Sequence, residues 1–200
     1  MVTFLLIRHA HTDAVGRRIA GRMPNVGLSP AGRAQLDALA ARIGEQPVQR
    51  LLSSPLERAR ETAAAVARVL RIEVEFAEEL NELDFGAWTG RTFAELAPDP
   101  LWQQYNAFRS GTRMPGGEVM LEVQARVVGL IQRLRETADG QAIALVTHGD
   151  VIRAALAYYL GIPLDLILRF EVDPASVSAV RLDDDGPHVL CINRTADQSL

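Results

Sequence analysis

Two hundred residues with 48% apolar and 23% charged content read as one globular domain, long enough to bury a core without disulfides or metals. A formal charge of −4 gives no reason to expect nucleic-acid or acidic-membrane binding, and the single Cys191 precludes an internal disulfide and suits a reducing cytoplasm. All 21 basic residues are arginine, which excludes lysine Schiff-base chemistry, pyridoxal enzymes and the lysine of nucleotide-phosphate loops.

Residues 2–7 form an apolar, β-rich run, read as a strand covered on both faces rather than as a signal peptide. Ser29 followed by Pro30 has the form of an N-cap and first helical position, opening a helix to about residue 43. A short strand is expected at 51–53. Ser54-Pro55-Leu56-Glu57 then carries an S-x-x-E capping box with proline at N1, predicting a helix to about residue 70. Residues 72–76 alternate like a third strand. From 88 to 117 the pattern is irregular, with Pro98, Pro100 and Pro115 punctuating short helical pieces. Met120, Val123, Val127, Leu130, Ile131 and Leu134 recur at helical spacing and predict a helix over 118–137. A buried strand at 142–146 and a helix at 150–160 follow. Two last strands, 176–182 and 188–192, join through the turn 183–186. No repeat or linker divides the chain, so residues 1–200 are expected to form a single domain, and no stretch approaches the ~20 apolar residues that span a bilayer.

Strands alternating with helices imply an α/β fold with a mostly parallel sheet, whose ligand crevice lies outside the carboxyl ends of the strands. Arg8 and His9 follow the first strand, Arg58 opens the helix after the second, Asn81 and Glu82 follow the third, and Thr147, His148 and Gly149 follow the fourth. Taken singly, each has a structural reading. His148 could be a satisfied core histidine and Glu82 a solvated loop carboxylate. A cation in a first helical turn opposes the helix dipole, however, so Arg58 is better explained by a docked anion. Together the strand ends have the composition of a phosphate site with its own nucleophile and acid.

The segments LLIRHAHTD (5–13), SSPLERARETA (53–63), LNELDFGAWTG (80–90) and VTHGDVIR (146–153) resemble the histidine phosphatase superfamily, the fold of cofactor-dependent phosphoglycerate mutases and many small phosphatases. The resemblance implies a three-layer αβα sandwich around a mixed six-stranded sheet. It also implies His9 as the phosphorylated nucleophile, Arg8, Arg58 and His148 as phosphoryl ligands, and Glu82 as proton donor. Two positions depart from the family pattern. Ala10 replaces a glycine, and Val15 replaces an asparagine that helps hold the phosphate, so that contact is expected from Thr12, His11 or Gly21, with Gly149 also at the site. A homodimer is compatible with the resemblance.

Two nearby arginines are expected to keep His9 neutral and nucleophilic, and a bound dianion to raise the pKa of Glu82 so that it protonates the leaving group. Arginines fill the role a cation would play, so no metal and no cofactor is expected. ELDFGAW in place of an ERHYG-like motif, with no lysine after it, favours hydrolysis over mutase transfer. The substrate is then a small phosphomonoester. Residues 88–117 are expected to form a lid, with Trp88, Trp102, Tyr105 and Phe108 available against its organic part and Arg109 or Arg113 for a second anionic group; the structural reading is that the aromatics pack under the loop and the arginines are solvated. Two rival readings remain at this point. One is a metallohydrolase using His9, His11 and His148 with Asp13 or Asp150, and the other is a phosphate-binding domain with little turnover.

Overall fold

The computed structural model describes residues 1–138 and 140–196; position 139 and the last four positions of the expected 1–200 domain lie outside the described residues. Among the described residues six strands form one sheet: β1 (Val2–Arg8), β2 (Val48–Ser53), β3 (Val74–Phe76), β4 (Ala142–Thr147), β5 (Val177–Asp183) and β6 (Gly186–Arg194). Their order is β3-β2-β4-β1-β5-β6. The first four in that order run parallel, while β5 pairs antiparallel with β1 and carries β6 as a hairpin. The helices are α1 (Pro30–Gly44), α2 (Glu57–Leu70), α3 (Phe93–Leu96), α4 (Pro100–Ala107), α5 (Met120–Thr137) and α6 (Gly149–Leu160).

Side-chain alternation in the central strands generates the layers. Phe4 and Leu6 of β1 enter one apolar cluster, Leu5 and Ile7 the other; Ile143 and Leu145 of β4 divide from Ala144 and Val146 in the same way. With both faces covered, the middles of these strands are apolar throughout, residues 4–7 and 142–146, and polar residues stand only toward their ends, at Thr3, Arg8 and Thr147. Leu39 and Ile43 of α1 and Ala63 and Val66 of α2 close one face. The evenly spaced residues of α5, with Val151 and Leu156 of α6, close the other. The result is the expected αβα sandwich. Among the described residues no helix is long and apolar enough to cross a membrane.

Helix starts follow their local chemistry, with one exception. Ser29 Oγ accepts the Gly32 N–H at 3.0 Å and Pro30 takes N1, as expected for α1. The capping box expected at Ser54 does not form: α2 starts at Glu57, behind Leu56, whose side chain caps nothing. Ser54 is fully buried and its hydroxyl meets Asn81 and His148 instead. Buried polar groups must find protein partners, whereas exposed helix N–H groups can turn to water, so the interior claims the hydroxyl. Between a 3-10 turn at Gly86–Trp88 and α5, Trp102 of α4 packs edge-on against the buried Trp88, with ring centroids 5.3 Å apart, and pins this irregular stretch to the core.

Candidate active site

Three parallel strands end on one edge. Past β1 the His9 N–H donates to the Thr147 carbonyl at 2.9 Å, and past β2 the Ser54 N–H donates to Val146 at 2.9 Å. These bonds put residues 9, 54 and 148 side by side where α6 begins. The rings of His9 and His148 lie 5.1 Å apart, tilted by 60°. The first turn of α6 adds its free N–H groups to the same rim.

His9 is buried, and its Nδ1 lies 2.7 Å from the Ala10 carbonyl oxygen, an atom that only accepts. Nδ1 therefore carries the hydrogen and Nε2 the lone pair. Arg58 Nε donates to that lone pair at 3.3 Å. Burial, then Arg58, then Arg8 hold His9 well below the usual histidine range. The shift favours the neutral imidazole expected from the sequence, with desolvation ahead of either arginine as its cause. The Ala10 N–H donates to Thr62 Oγ1 at 3.1 Å, which ties the turn after His9 to α2.

Arg58, 2% exposed, donates through its remaining fork to the Gly21 carbonyl at 2.8 Å, and Arg8 donates to the Val172 carbonyl at 2.6 Å. None of these acceptors is an anion, and Arg8 Nε is buried without a partner. Two guanidinium groups thus sit desolvated with Glu82 as a nearby charge but with no carboxylate among these hydrogen-bond acceptors, an arrangement suited to an incoming anion. Gly21 spends its carbonyl on Arg58 and so orients that cation. Gly149 opens α6 beside Arg8, whose Nε would stand at an ordinary contact distance of 3.4 Å from a Cβ there. Glu82 Oε1 accepts the Leu83 N–H at 2.9 Å. Its pKa is pushed up to about 7, first by burial and then by the Asp150 carboxylate, against the pull of the Leu83 N–H, Arg58 and Arg8. The acid is therefore raised before any dianion arrives.

Arg8, His9, Arg58 and Glu82 open on one cleft of about 310 Å³, together with Thr12, Gly21 and Gly149; His148 does not itself open on it. Val15 lines the cleft but contributes no donor. Arg109 lines it too, 6% exposed, donating to the Tyr105 hydroxyl and Asn106 Oδ1 and lying 4.5 Å over the Tyr105 ring. Its Nε has no partner. Arg113 does not join the site, contrary to expectation: its guanidinium turns to Glu122 on α5, 2.7 Å away, and stays exposed. His11 does not join either, because its Nδ1 pairs with Ser29 Oγ at the cap of α1. Among the described residues no group of three or more His, Cys, Asp or Glu is placed to hold a metal ion, so the metallohydrolase reading loses its donor set. Sequence reasoning read Ser54 as a helix cap, placed Asn81 at a strand end without a role and weighed Asp150 only as a metal ligand, so it missed Ser54 and Asn81 behind His148 and Asp150 acting on Glu82. Ser54 follows a strand end just as His9 and His148 do, and that position was the available signal.

Residues 4–195 match the family model described as histidine phosphatase superfamily (branch 1). Phosphoserine phosphatase 1 of Hydrogenobacter thermophilus is 29% identical over 98% of this chain and 93% of its own length. A probable phosphoglycerate mutase of Escherichia coli is 30% identical over 90% of this chain and 85% of its own. The solved structure of a mycobacterial glucosyl-3-phosphoglycerate phosphatase superposes with a TM-score of 0.86 at 27% identity, covering 96% of this chain and 99% of that one. The first curated relatives are 34% identical over 96% of the chain, which spans about half (53%) of their length.

Proposed function

The chain belongs to the histidine phosphatase superfamily, and from that premise we propose that it is a metal-independent phosphatase that hydrolyses a small phosphomonoester through a phosphohistidine on His9. The observation that carries this reading is the bare Nε2 of a buried neutral imidazole, flanked by guanidinium groups that lack anionic partners. Nε2 attacks phosphorus in line while the ester P–O bond breaks, and the leaving oxygen takes the proton of Glu82. Arg8, Arg58 and His148 hold the phosphoryl oxygens and take up the charge that accumulates on them. Thr12, Gly21 and Gly149 shape the pocket around those oxygens. In the second half the Glu82 carboxylate removes a proton from water, whose oxygen attacks phosphorus and breaks the P–N bond. His9 returns neutral and Glu82 returns protonated, so the cycle closes.

Residues 88–117 act as a lid in this reading, contributing Trp102, Tyr105 and Arg109 to the cleft wall. A buried cation with an unpaired Nε selects a substrate bearing a second anionic group beyond the phosphoryl. Phosphoserine and glucosyl-3-phosphoglycerate, which the names of two relatives give, both join a phosphomonoester to a carboxylate. Hydrolysis rather than return of the phosphoryl group to another hydroxyl is favoured by ELDFGAW and by the absence of lysine. Phosphate release from p-nitrophenyl phosphate, with acid-labile phosphate trapped on the protein, tests the reading. His9→Ala abolishes both; equal rates in the two proteins would remove the mechanism.

A further inference from the structure

The ring of His148 has a partner on one nitrogen only, and that partner belongs to a chain of hydrogen bonds leading out to the surface. Asn81 Nδ2 donates to the Glu78 carboxylate, which accepts and cannot donate. This fixes the amide, so its Oδ1 faces Ser54 Oγ at 3.0 Å, and Ser54 must point its single hydrogen at Asn81. The lone pairs of Ser54 Oγ then receive the Leu56 N–H at 3.3 Å and His148 Nε2 at 2.9 Å. The second contact requires a hydrogen on Nε2. Each bond direction is thus dictated inward from the exposed Glu78 through two buried side chains.

Nδ1 of His148 is the consequence. It is buried without any partner, and the ring rests against His9. Arg8 and His9 after β1, Arg58 on α2 and Arg126 on α5 surround the ring with positive or neutral groups that disfavour a second proton, while Glu82 and Asp150 line the cleft beyond. Nδ1 is therefore an unpartnered lone pair on a ring packed beside His9. A lone pair repels an unprotonated phosphoryl oxygen, so contact between them needs one hydrogen, which a phosphoryl monoanion brings with it.

We propose that Ser54 and Asn81 are positioning residues that hold His148 as the Nε2–H tautomer, so that Nδ1 shares a proton with an oxygen of the phosphoryl group bound at His9. The inference rests on the phosphatase reading for the identity of the ligand, but its first half is read on the ligand-free protein. In ¹⁵N-histidine spectra of the full chain without ligand, His148 shows a protonated Nε2 and a bare Nδ1. Inorganic phosphate moves the Nδ1 signal toward the protonated form. Ser54→Ala removes the acceptor, abolishes the tautomer preference and lowers kcat/KM for p-nitrophenyl phosphate roughly 10–100-fold, the range for outer-shell partners of functional histidines. Asn81→Leu leaves the Ser54 hydroxyl without its acceptor, so it weakens the tautomer preference and lowers the same kcat/KM. A protonated Nδ1 in the ligand-free wild type, or an unchanged tautomer in Ser54→Ala, would overturn the proposal. Failure of the phosphatase reading shows separately, as missing turnover in a protein whose tautomer is as stated.

Discussion

Arg58 Nε donates to His9 Nε2 at 3.3 Å, so the cation occupies the lone pair of that nitrogen. In the proposed mechanism a phosphoryl oxygen draws the guanidinium away, and the same side chain then steadies the charge on that oxygen. Arg58→Ala frees the nucleophile yet removes a donor from the developing charge, and the second effect dominates, lowering kcat about 10²–10³-fold. Removing a nearby cation also eases protonation of His9, so the rising acidic limb of kcat/KM moves to higher pH. A rate and a limb both identical to wild type would exclude this role.

Glu82 sets the opposite limb. With its pKa at about 7, the carboxyl is protonated below neutrality and loses its proton as pH rises through that value. Hydrolysis of alkyl phosphates, whose leaving groups need a proton, therefore declines above about pH 7. Glu82→Gln removes that limb and lowers alkyl phosphate hydrolysis roughly 10²–10⁴-fold, with a smaller loss for p-nitrophenyl phosphate. The same shift is linked to stability. Its pKa is raised on folding from an unfolded value near 4.5, so the wild type bears an ionised, poorly solvated carboxylate at pH 8 but not at pH 5. Glu82→Gln melts above wild type at pH 8, and the gap, complete above about pH 7, shrinks as pH falls from 7 toward 4.5. A gap independent of pH would show that the carboxyl is not raised.

The sequence made the sheet and its active edge legible because both depend on local pattern: runs buried on two faces at 2–7 and 142–146, and reactive residues directly after them. It could not say which distant group takes each donor. Ser54 reads as a helix cap until Asn81 and His148 arrive from other elements, and Arg113 reads as a substrate ligand until Glu122 claims it. The early rise in the pKa of Glu82 is likewise tertiary, since burial causes it first and Asp150, 68 positions away in sequence, second.

Arg109 and Arg113 differ in what they face. Arg109 faces the cleft with an unpaired Nε, whereas Arg113 is engaged by Glu122 at the surface. Arg109→Ala raises KM for a phosphomonoester carrying a carboxylate by about tenfold more than for p-nitrophenyl phosphate, equivalent to ~1.4 kcal/mol. Arg113→Ala changes neither, because an exposed pair of this kind contributes little. Equal losses on the two substrates in Arg109→Ala would leave the guanidinium a purely structural role.

Gly32 links helix packing to the nucleophile. A Cβ there would lie 2.0 Å from the His11 carbonyl oxygen and 2.9 Å from its carbon, both main-chain atoms that cannot swing aside. The same carbonyl receives the Ser29 N–H at 3.0 Å and the Ser29 hydroxyl at 3.2 Å, so the cap of α1 and the turn two residues past His9 are joined at this point. Gly32→Ala gains about 1 kcal/mol of helix propensity. It must also push that turn outward, an overpacking cost of about 1–3 kcal/mol with His9 carried along. The expected outcome is a lower melting temperature together with a reduced kcat. Gly129→Ala on α5 makes the contrast, since its nearest neighbour is the mobile end of Arg133 at 3.5 Å, and there only the propensity gain remains. If Gly32→Ala melts with or above Gly129→Ala, the close approach of α1 to the turn after His9 does not exist.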